Sequence, residues 1–476
     1  TIAYQLLKMG ASVKAYDPVS NDRCKVLHAS LDLVYCHNAE ELAADSDALV
    51  LVTEWEQFRK LDWKKLAKSM RWPLVIDGRN VLNEEEIKKL EADGLLFSKD
   101  AYEGIAGERY NDQVIKAICL HVAHDCSLSC RYCFASQGNF NGERLFMDRK
   151  TAHRAVDFLI EKSGKRHSIE IDFFGGEPLL NFPLVKDTVE YGRKRAKEAG
   201  KDIRFTLTTN AVALDRDTAE YLDQNMYNVV LSLDGRPEVN DRMRCFGDGA
   251  GSYGVIVDNI RNFVQRRENR SYFVRGTFTR ENLDFCKDVL HIADLGIKEI
   301  SVEPVVSGPE EPYSIREQDL DTVLCEYDKL FDECLKRAGT PDEFSFYHFR
   351  VNLYNGPCAI KRLSGCGAGN QYLAVTPEGD LYPCHQFVGD RTFLMGNVSD
   401  GVLDKGISAA FRDAHVYNKE DCRDCWARLW CSGGCHASCY KATGSIRKNY
   451  RVGCVMEKKR IECAIALEIL TRLKEE

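Results

Sequence analysis

The sequence predicts an α/β protein in three parts: a small α/β module, a partial (β/α)6 barrel, and a cysteine-rich C-terminal segment. Three observations carry that prediction. Short apolar runs alternate with helical stretches within residues 1–82 and again within 113–340, polar sequence separates these blocks, and ten of the 20 cysteines crowd into residues 358–476. The 476 residues are 44% hydrophobic and 29% charged, enough to bury cores in two or three domains and to exclude disorder or collagen. A formal charge of -8, with no block of Lys or Arg, excludes nucleic acid as the expected partner. Apolar runs such as 48–52 and 463–467 fall far short of the roughly 20 residues of a membrane span, so no membrane partner is expected. A long, core-rich chain is unlike a disulfide scaffold, which predicts reduced thiols in a cytoplasmic protein, acting as metal ligands. The chain opens at Thr1 within helical sequence, so further coding sequence is expected upstream.

In the first module, residues 2–9 read as a helix stopped by Gly10, and 12–16 as a strand. Two more runs, ALVLVT at 48–53 and LVID at 74–77, are expected as buried parallel strands of a Rossmann-like unit. Residues 83–97 turn helical, with Asn83 as cap and Ile87 and Leu90 on one face, and 98–112 form a polar connector. Six strand–helix units follow, with strands at 115–122, 169–174, 203–209, 229–233, 272–278 and 299–305. The helix at 151–162 shows the periodicity plainly, with Ala152, Ala155, Val156, Leu159 and Ile160 along one face. Repeated β-then-α units make a parallel sheet, and six of them suit a partial barrel whose chemistry sits at the strand C-terminal ends. The third part, 341–476, shows little regular pattern before a closing helix near 457–474 and needs metal to hold it together.

Directly after the first barrel strand comes Cys126-Ser-Leu-Ser-Cys130-Arg-Tyr-Cys133. Three thiolates on one loop suit a 4Fe-4S cube with one iron left open, while zinc completed by His121 or His124, or three plain buried thiols, are the alternatives. Gly175-Gly176-Glu177-Pro178, Thr208-Thr209-Asn210 and Ser232-Leu-Asp234-Gly235 end the next three strands, so all four signals share one rim. The C-terminal cysteines form a second constellation: Cys366, Gly379 and Cys384, then Cys422-x2-Cys425-x5-Cys431-x3-Cys435, and finally Cys454. Only one C-x2-C pair occurs among them, unlike a zinc ribbon. Cys439 and Cys463, with Cys24, Cys36, Cys119, Cys245, Cys286, Cys325 and Cys334, read as ordinary thiols. GDGAGS at 247–252 and GCGAGN at 365–370 neither follow a strand nor open a helix, so they read as loops rather than nucleotide sites.

The CxxxCxxC loop with Tyr132 before its last cysteine, followed by GGE at 175–177, resembles the radical S-adenosylmethionine (SAM) superfamily. That resemblance implies a catalytic cluster on Cys126, Cys130 and Cys133, and a SAM site that includes Tyr132 and Thr208. Gly175, Gly176 and Glu177 would hold the methionine amino group, and Asn210 and Ser232 would lie near ribose or carboxylate. Arg275 would meet the SAM carboxylate or, alternatively, form an internal ion pair with Glu303. The C-terminal spacing resembles the SPASM domain, implying auxiliary cluster II on Cys422, Cys425, Cys431 and Cys454, and cluster I on Cys366, Cys384 and Cys435. Cys358 would complete cluster I, or a substrate thiol would, for three 4Fe-4S clusters in all.

Over 84–476, phrases such as CLHVAHDCSLSCRYCFAS, IDFFGGEPLLNF and YLAVTPEGDLYPCHQFVG resemble the maturases of SCIFF peptides. Those enzymes form thioether cross-links in a Cys-rich ribosomal precursor peptide, which implies such a partner and an electron donor such as flavodoxin or ferredoxin. Residues 83–112 would be the remnant of their peptide-recognition domain. Another SPASM peptide modifier, such as an anaerobic sulfatase maturase, is the alternative activity. AYDP at 15–18, DALVLVTEWEQF at 47–58 and VIDGRNVL at 75–82 resemble the C-terminal nucleotide-sugar-binding domain of UDP-glucose dehydrogenases, without its opening strand. A nucleotide-sugar-binding role for 1–82 is the alternative from another class.

Overall fold

The computed structural model describes residues 2–8, 10–71, 74–79, 114–267, 270–353, 362–401 and 403–475, with Leu82, Glu85, Lys88, Lys89, Ala92, Tyr102 and Glu103. The expected helix at 83–97, the connector at 98–112 and Cys358 fall mostly or wholly outside them. The chain divides into two compact units, Thr1–Ala101 and Tyr102–Glu476.

In the first unit, β1 (Val13–Ala15) pairs in parallel with β2 (Leu33–Tyr35), and β3 (Ala48–Leu51) with β4 (Leu74–Asp77), as two separate sheets. Strand β2 is absent from the sequence reading because its three residues carry too short a pattern to register. The expectation of buried strands is corrected at β4, where Leu74 and Ile76 are both 48% exposed. Alternation with an open face replaces burial on both faces. Small clusters around Leu51 and Phe58, and around Ala43, Leu49 and Leu66, hold the unit. Two of its helices start where side chains satisfy free backbone donors: Asn38 accepts from Glu41 N at 2.8 Å and Asp62 from Lys65 N at 3.0 Å.

In the second unit, β5 (Ala117–Ala123), β6 (Ser168–Gly175), β7 (Asp202–Thr209), β8 (Asn228–Ser232), β9 (Tyr272–Phe278) and β10 (Glu299–Pro304) pair in parallel in chain order. These are the six predicted strands, each within two residues of its expected start. Strands β5 and β10 do not pair with each other, so the sheet stays open as a partial barrel. The helix Arg149–Lys162 buries Ala152, Ala155, Val156 and Leu159 as its period requires, with Phe158 completing the face and Ile160 packed at its edge. Asp148 caps it, accepting from Thr151 N at 2.7 Å. Each fully buried aliphatic or aromatic side chain of this core contributes roughly 1.5–3 kcal/mol.

The C-terminal segment is more regular than expected. It supplies β12 (Tyr372–Val375), β13 (Asp380–Tyr382) and β14 (Gly396–Asn397), which extend the sheet from β5, while β11 (Ser345–Phe346) extends it beyond β10. Strand β12 borrows the free edge of β5, Tyr372 opposite Ala117, and so becomes a strand that its four residues alone do not announce. The closing helix begins at Arg451 rather than near 457 and runs to Glu475. No helix among the described residues is long and apolar enough to cross a membrane.

Candidate functional site

At the C-terminal ends of the barrel strands lies a cavity of about 200 Å3. Every barrel residue expected to hold the cluster or SAM lines it: Cys126, Cys130, Tyr132, Cys133, Gly175, Gly176, Glu177, Thr208, Asn210, Ser232 and Arg275. Glu303, the partner offered for Arg275, lines it too, whereas sequence reasoning missed Arg244 and Thr277, and also His385 and Gln386, which reach the cavity from the cysteine-rich segment.

The glycines of the GGE turn are there because two backbones touch. Gly175 has φ +129° and its missing Cβ would fall 2.2 Å from the Ala123 carbonyl oxygen; that of Gly176 would fall 2.1 Å from Asp125 O. Gly176 N donates to Ala123 O and Glu177 N to Asp125 O, both at 2.8 Å, binding this turn to the start of the thiol loop. The buried Glu177 carboxylate accepts from Leu179 N at 3.0 Å, Thr209 Oγ1 at 2.8 Å and Asn210 N at 2.7 Å. Burial pushes its pKa up and these donors pull it back. Asn210 Nδ2 donates to Ser127 Oγ at 3.0 Å and lies 3.5 Å from Cys126 Sγ. Arg275 takes the internal option: its Nη2 donates to Glu303 Oε2 at 2.6 Å, leaving its other donors for a ligand.

Burial pushes the Cys126 thiol up to about 11 and the Cys130 thiol to about 12. A cluster held here would supply the positive charge that favours the thiolate form of both. Among the described residues no three His, Cys, Asp or Glu side chains close on one metal position. Thiolates of a cube each take a different iron, so they need no common point, and three cysteines around one cavity fit that donor set. His121 and His124, the histidines of the zinc alternative, do not line the cavity that the three thiols share; His121 Nδ1 and His124 Nε2 lie 3.1 Å apart, sharing a hydrogen bond, with both rings against Phe140. Burial holds His124 at about 4 and His121 also low, so the pair is neutral.

The C-terminal thiols fall into two groups. Cys366, Cys384 and Cys435 lie close enough that Cys435 raises the pKa of the other two, beyond the effect of burial. Cys422, Cys425, Cys431 and Cys454 influence one another likewise, with burial first among the causes that bring Cys431 to about 12 and Cys454 to about 11. Cys439 is buried, as an ordinary thiol would be, yet its charge also raises Cys422 and Cys454. Lys419 Nζ lies 3.8 Å from its sulfur. All described cysteines are free. The stretches 247–252 and 365–370 are loops.

Comparison with known proteins agrees with this geometry. Residues 120–291 match the radical SAM superfamily, 366–426 the SPASM iron-sulfur cluster-binding domain, and 1–84 the UDP binding domain of the UDP-glucose/GDP-mannose dehydrogenase family. An uncharacterised protein of Methanocaldococcus jannaschii is 30% identical over 292 residues, covering 60% of this chain and 90% of that protein. The radical SAM cyclopropyl synthase TigE of Paramaledivibacter caminithermalis is 24% identical, over 74% of this chain and 75% of its own. The fold is that of anSMEcpe with bound AdoMet, with TM-score 0.64 and 20% identity over 75% of this chain and 95% of that one. It is also that of Streptococcus suis SuiB bound to precursor peptide SuiA, with TM-score 0.53 and 18% identity over 78% and 87%. The chain belongs to the radical SAM superfamily and is an enzyme of it, with a SPASM domain; these domains imply 4Fe-4S clusters and SAM.

Proposed function

We propose that this enzyme installs thioether cross-links from cysteine sulfur to a carbon of a Cys-rich ribosomal precursor peptide. One observation carries the reading: His385 and Gln386, which directly follow Cys384, line the same cavity as the three barrel thiols. Sulfur handled beside Cys384 and hydrogen abstracted at the barrel rim thus share one space. With a cluster on Cys126, Cys130 and Cys133, the site would supply a 5′-deoxyadenosyl radical from SAM. The chain's own residues bind and orient. The GGE turn and Glu177 hold the methionine amino end, Tyr132, Thr208, Asn210 and Ser232 the remainder, and the spare donors of Arg275 its carboxylate. Phe134, Phe174, Val305 and Val306 give the cavity an apolar lining that excludes water.

In this reading Cys366, Cys384 and Cys435, completed by Cys358 or a substrate thiol, form one auxiliary site, and Cys422, Cys425, Cys431 and Cys454 the other. A flavodoxin or ferredoxin supplies electrons in the cytoplasm. Residues 113–340 form the barrel, 341–476 the SPASM domain, 83–112 the remnant of a recognition domain, and 1–82 a nucleotide-sugar-binding type of module. SuiB, bound to its precursor peptide, shares the fold of this chain and supports a peptide substrate.

The test is anaerobic incubation of the reconstituted enzyme with SAM, a reductant and a Cys-rich precursor peptide. Each bridge removes two hydrogens, one as an atom to 5′-deoxyadenosine and one as a proton whose electron an auxiliary cluster would accept, and masks one alkylatable thiol. An unmodified peptide beside vigorous SAM cleavage overturns the reading, and an aldehyde product replaces it with a sulfatase-maturase type of activity.

A further inference from the structure

The glycine-rich stretch at 247–252 belongs to a device that grips the barrel thiols. Ser129 N donates to Cys245 O at 2.7 Å and Arg131 N to Met243 O at 2.8 Å, so the segment 243–245 runs along the thiol loop on both sides of Cys130. Between those anchors Arg244 is buried, 8% exposed, and lines the cavity with the three thiols. Its Nη1 donates to the Tyr132 hydroxyl at 3.0 Å, and that hydroxyl donates to Asp234 Oδ2 at 2.6 Å. Asp234 is itself buried and accepts from Thr277 N at 3.0 Å. The buried Nε of Arg244 has no partner among the described residues.

The turn behind it is built to hold that arginine still. Ser252 Oγ donates to the Arg244 carbonyl at 2.7 Å, and Asn240 Nδ2 donates to Ser252 Oγ at 3.1 Å. Phe246 N donates to Ala250 O at 2.8 Å, closing the turn, and Tyr253 N donates to Asp241 Oδ1 at 2.7 Å. A Cβ at Gly251 would fall 2.2 Å from Asp241 Cγ, which explains a glycine there without any nucleotide.

We propose that Arg244 is a positioning residue for the barrel cluster, its guanidinium offsetting the thiolate charge and raising the cluster's reduction potential, with residues 245–252 as its buttress. This rests on the reading of Cys126, Cys130 and Cys133 as cluster ligands. Three thiolates leave an iron-sulfur cube with net negative charge, and reduction adds to it, so a fixed cation beside the loop favours the reduced form. Asp234 works the other way and sets a limit on the effect. Burial opposes the charge on Arg244, and Tyr132, Cys130 and Asp234 hold it in place. A guanidinium suits this position because its fork grips the tyrosine hydroxyl while a donor remains for the cavity.

The experiment is an EPR-monitored redox titration of the reconstituted full chain, the barrel signal being the one lost when all three loop cysteines are changed to Ala. Arg244→Met is expected to move that midpoint to more negative potential with iron retained, and Arg244→Lys to restore most of the shift. Asp234→Asn is expected to move it to more positive potential, and Ser252→Ala to move it negative by less than Arg244→Met. A purely structural role would lower iron in every variant without opposite shifts. Unchanged midpoints in Arg244→Met and Asp234→Asn, or shifts of the same sign, overturn the assignment. If Arg244→Met fails to retain iron, Asp234→Asn decides alone: a positive shift supports the role and any other result overturns it. A wild-type chain with no signal dependent on the three cysteines overturns the cluster reading itself, and the role of Arg244 with it.

Discussion

The barrel thiols and the C-terminal thiols are the same chemical group on two different kinds of scaffold. Cys126, Cys130 and Cys133 hang from the end of β5, a strand buried along its whole length, with Ile118, Leu120 and Val122 in the barrel's hydrophobic core. Cys422, Cys431 and Cys435 sit on or beside the short helices Glu420–Arg423, Arg428–Cys431 and His436–Thr443. The first of these contributes Cys422 to a small cluster with Leu363 and Val416, and the last contributes Ala437 to one with Ala368, Phe387, Phe411, Ala414 and Ile446. Four-residue helices are far below the length at which helix formation sustains itself in water. The first scaffold therefore brings its thiols together through apolar packing, whereas the second depends on what the thiols bind. Each also buries a cation: Arg244 in the barrel, and Lys419 in the C-terminal segment, 1% exposed with Nζ donating to Gly433 O at 2.8 Å.

The largest effect that would break this contrast comes from the barrel loop. Changing Cys126, Cys130 and Cys133 together to Ala is expected to abolish reductive SAM cleavage and to lower iron from about twelve to about eight per chain, since each cube holds four. Persistent 5′-deoxyadenosine would remove the loop from the chemistry, and iron near four in the wild type would remove both auxiliary clusters. Next in size is the response to metal removal. Limited proteolysis of protein prepared without iron is expected to cut within residues 405–450 and to spare 114–267, with reconstitution restoring resistance by roughly tenfold or more. Equal sensitivity of the two regions would mean that the small C-terminal clusters suffice without metal.

The same contrast explains what could be read in advance. The six barrel strands were legible because each is an apolar run long enough to show its pattern, and the site was legible because its cysteines and glycines lie in tight spacings at strand ends. Arg244 was not, since nothing local distinguishes it from the other arginines around it; only the backbone pairing of 243–245 with the thiol loop puts it in the cavity. Strands β12 to β14 were missed because two to four residues carry no pattern of their own: β12 becomes a strand only beside β5, more than two hundred residues away in sequence, and β13 and β14 add to it in turn. His385 was passed over as a neighbour of Cys384, although its position there is what joins the two thiol scaffolds in one cavity.

A smaller effect separates two uses of one side chain. Arg275→Gln is expected to weaken SAM binding about tenfold, about 1.4 kcal/mol, if the donors left free by Glu303 reach the carboxylate. Calorimetric titration with SAM checks this. An unchanged affinity with a lowered melting temperature would assign Arg275 wholly to its ion pair.

The smallest effect concerns the seam where the closing helix meets the barrel, and it is read from pH. Arg460, on that helix, places Nη1 3.4 Å from His348 Nδ1, whose Nε2 faces Ser301 Oγ at 3.4 Å and Glu303 Oε1 at 3.8 Å. Burial and then Arg460 bring His348 from 6.5 down to about 3, so the native ring is neutral and donates through Nε2. Burial pushes Glu303 up, but the permanent charges of Arg275 and Arg460 outweigh it and hold the carboxyl at about 2. Both groups therefore bind protons more readily once released, and both contribute stability that is lost as pH falls: His348 from 6.5 downward, Glu303 only from 4.5 downward. Between about pH 7 and about pH 5.5 only the histidine contributes, on the order of 1 kcal/mol, or several-fold faster exchange of the amides in Arg451–Glu475. Hydrogen exchange should show that acceleration in the wild type and in Glu303→Gln, but a flat profile in His348→Gln. The barrel strand β8, which carries no ionisable side chain and packs Val229 and Leu231 in the core, should show no change in the same window. If β8 and the closing helix accelerate together, the two scaffolds open as one cooperative unit and the contrast between them fails at this seam.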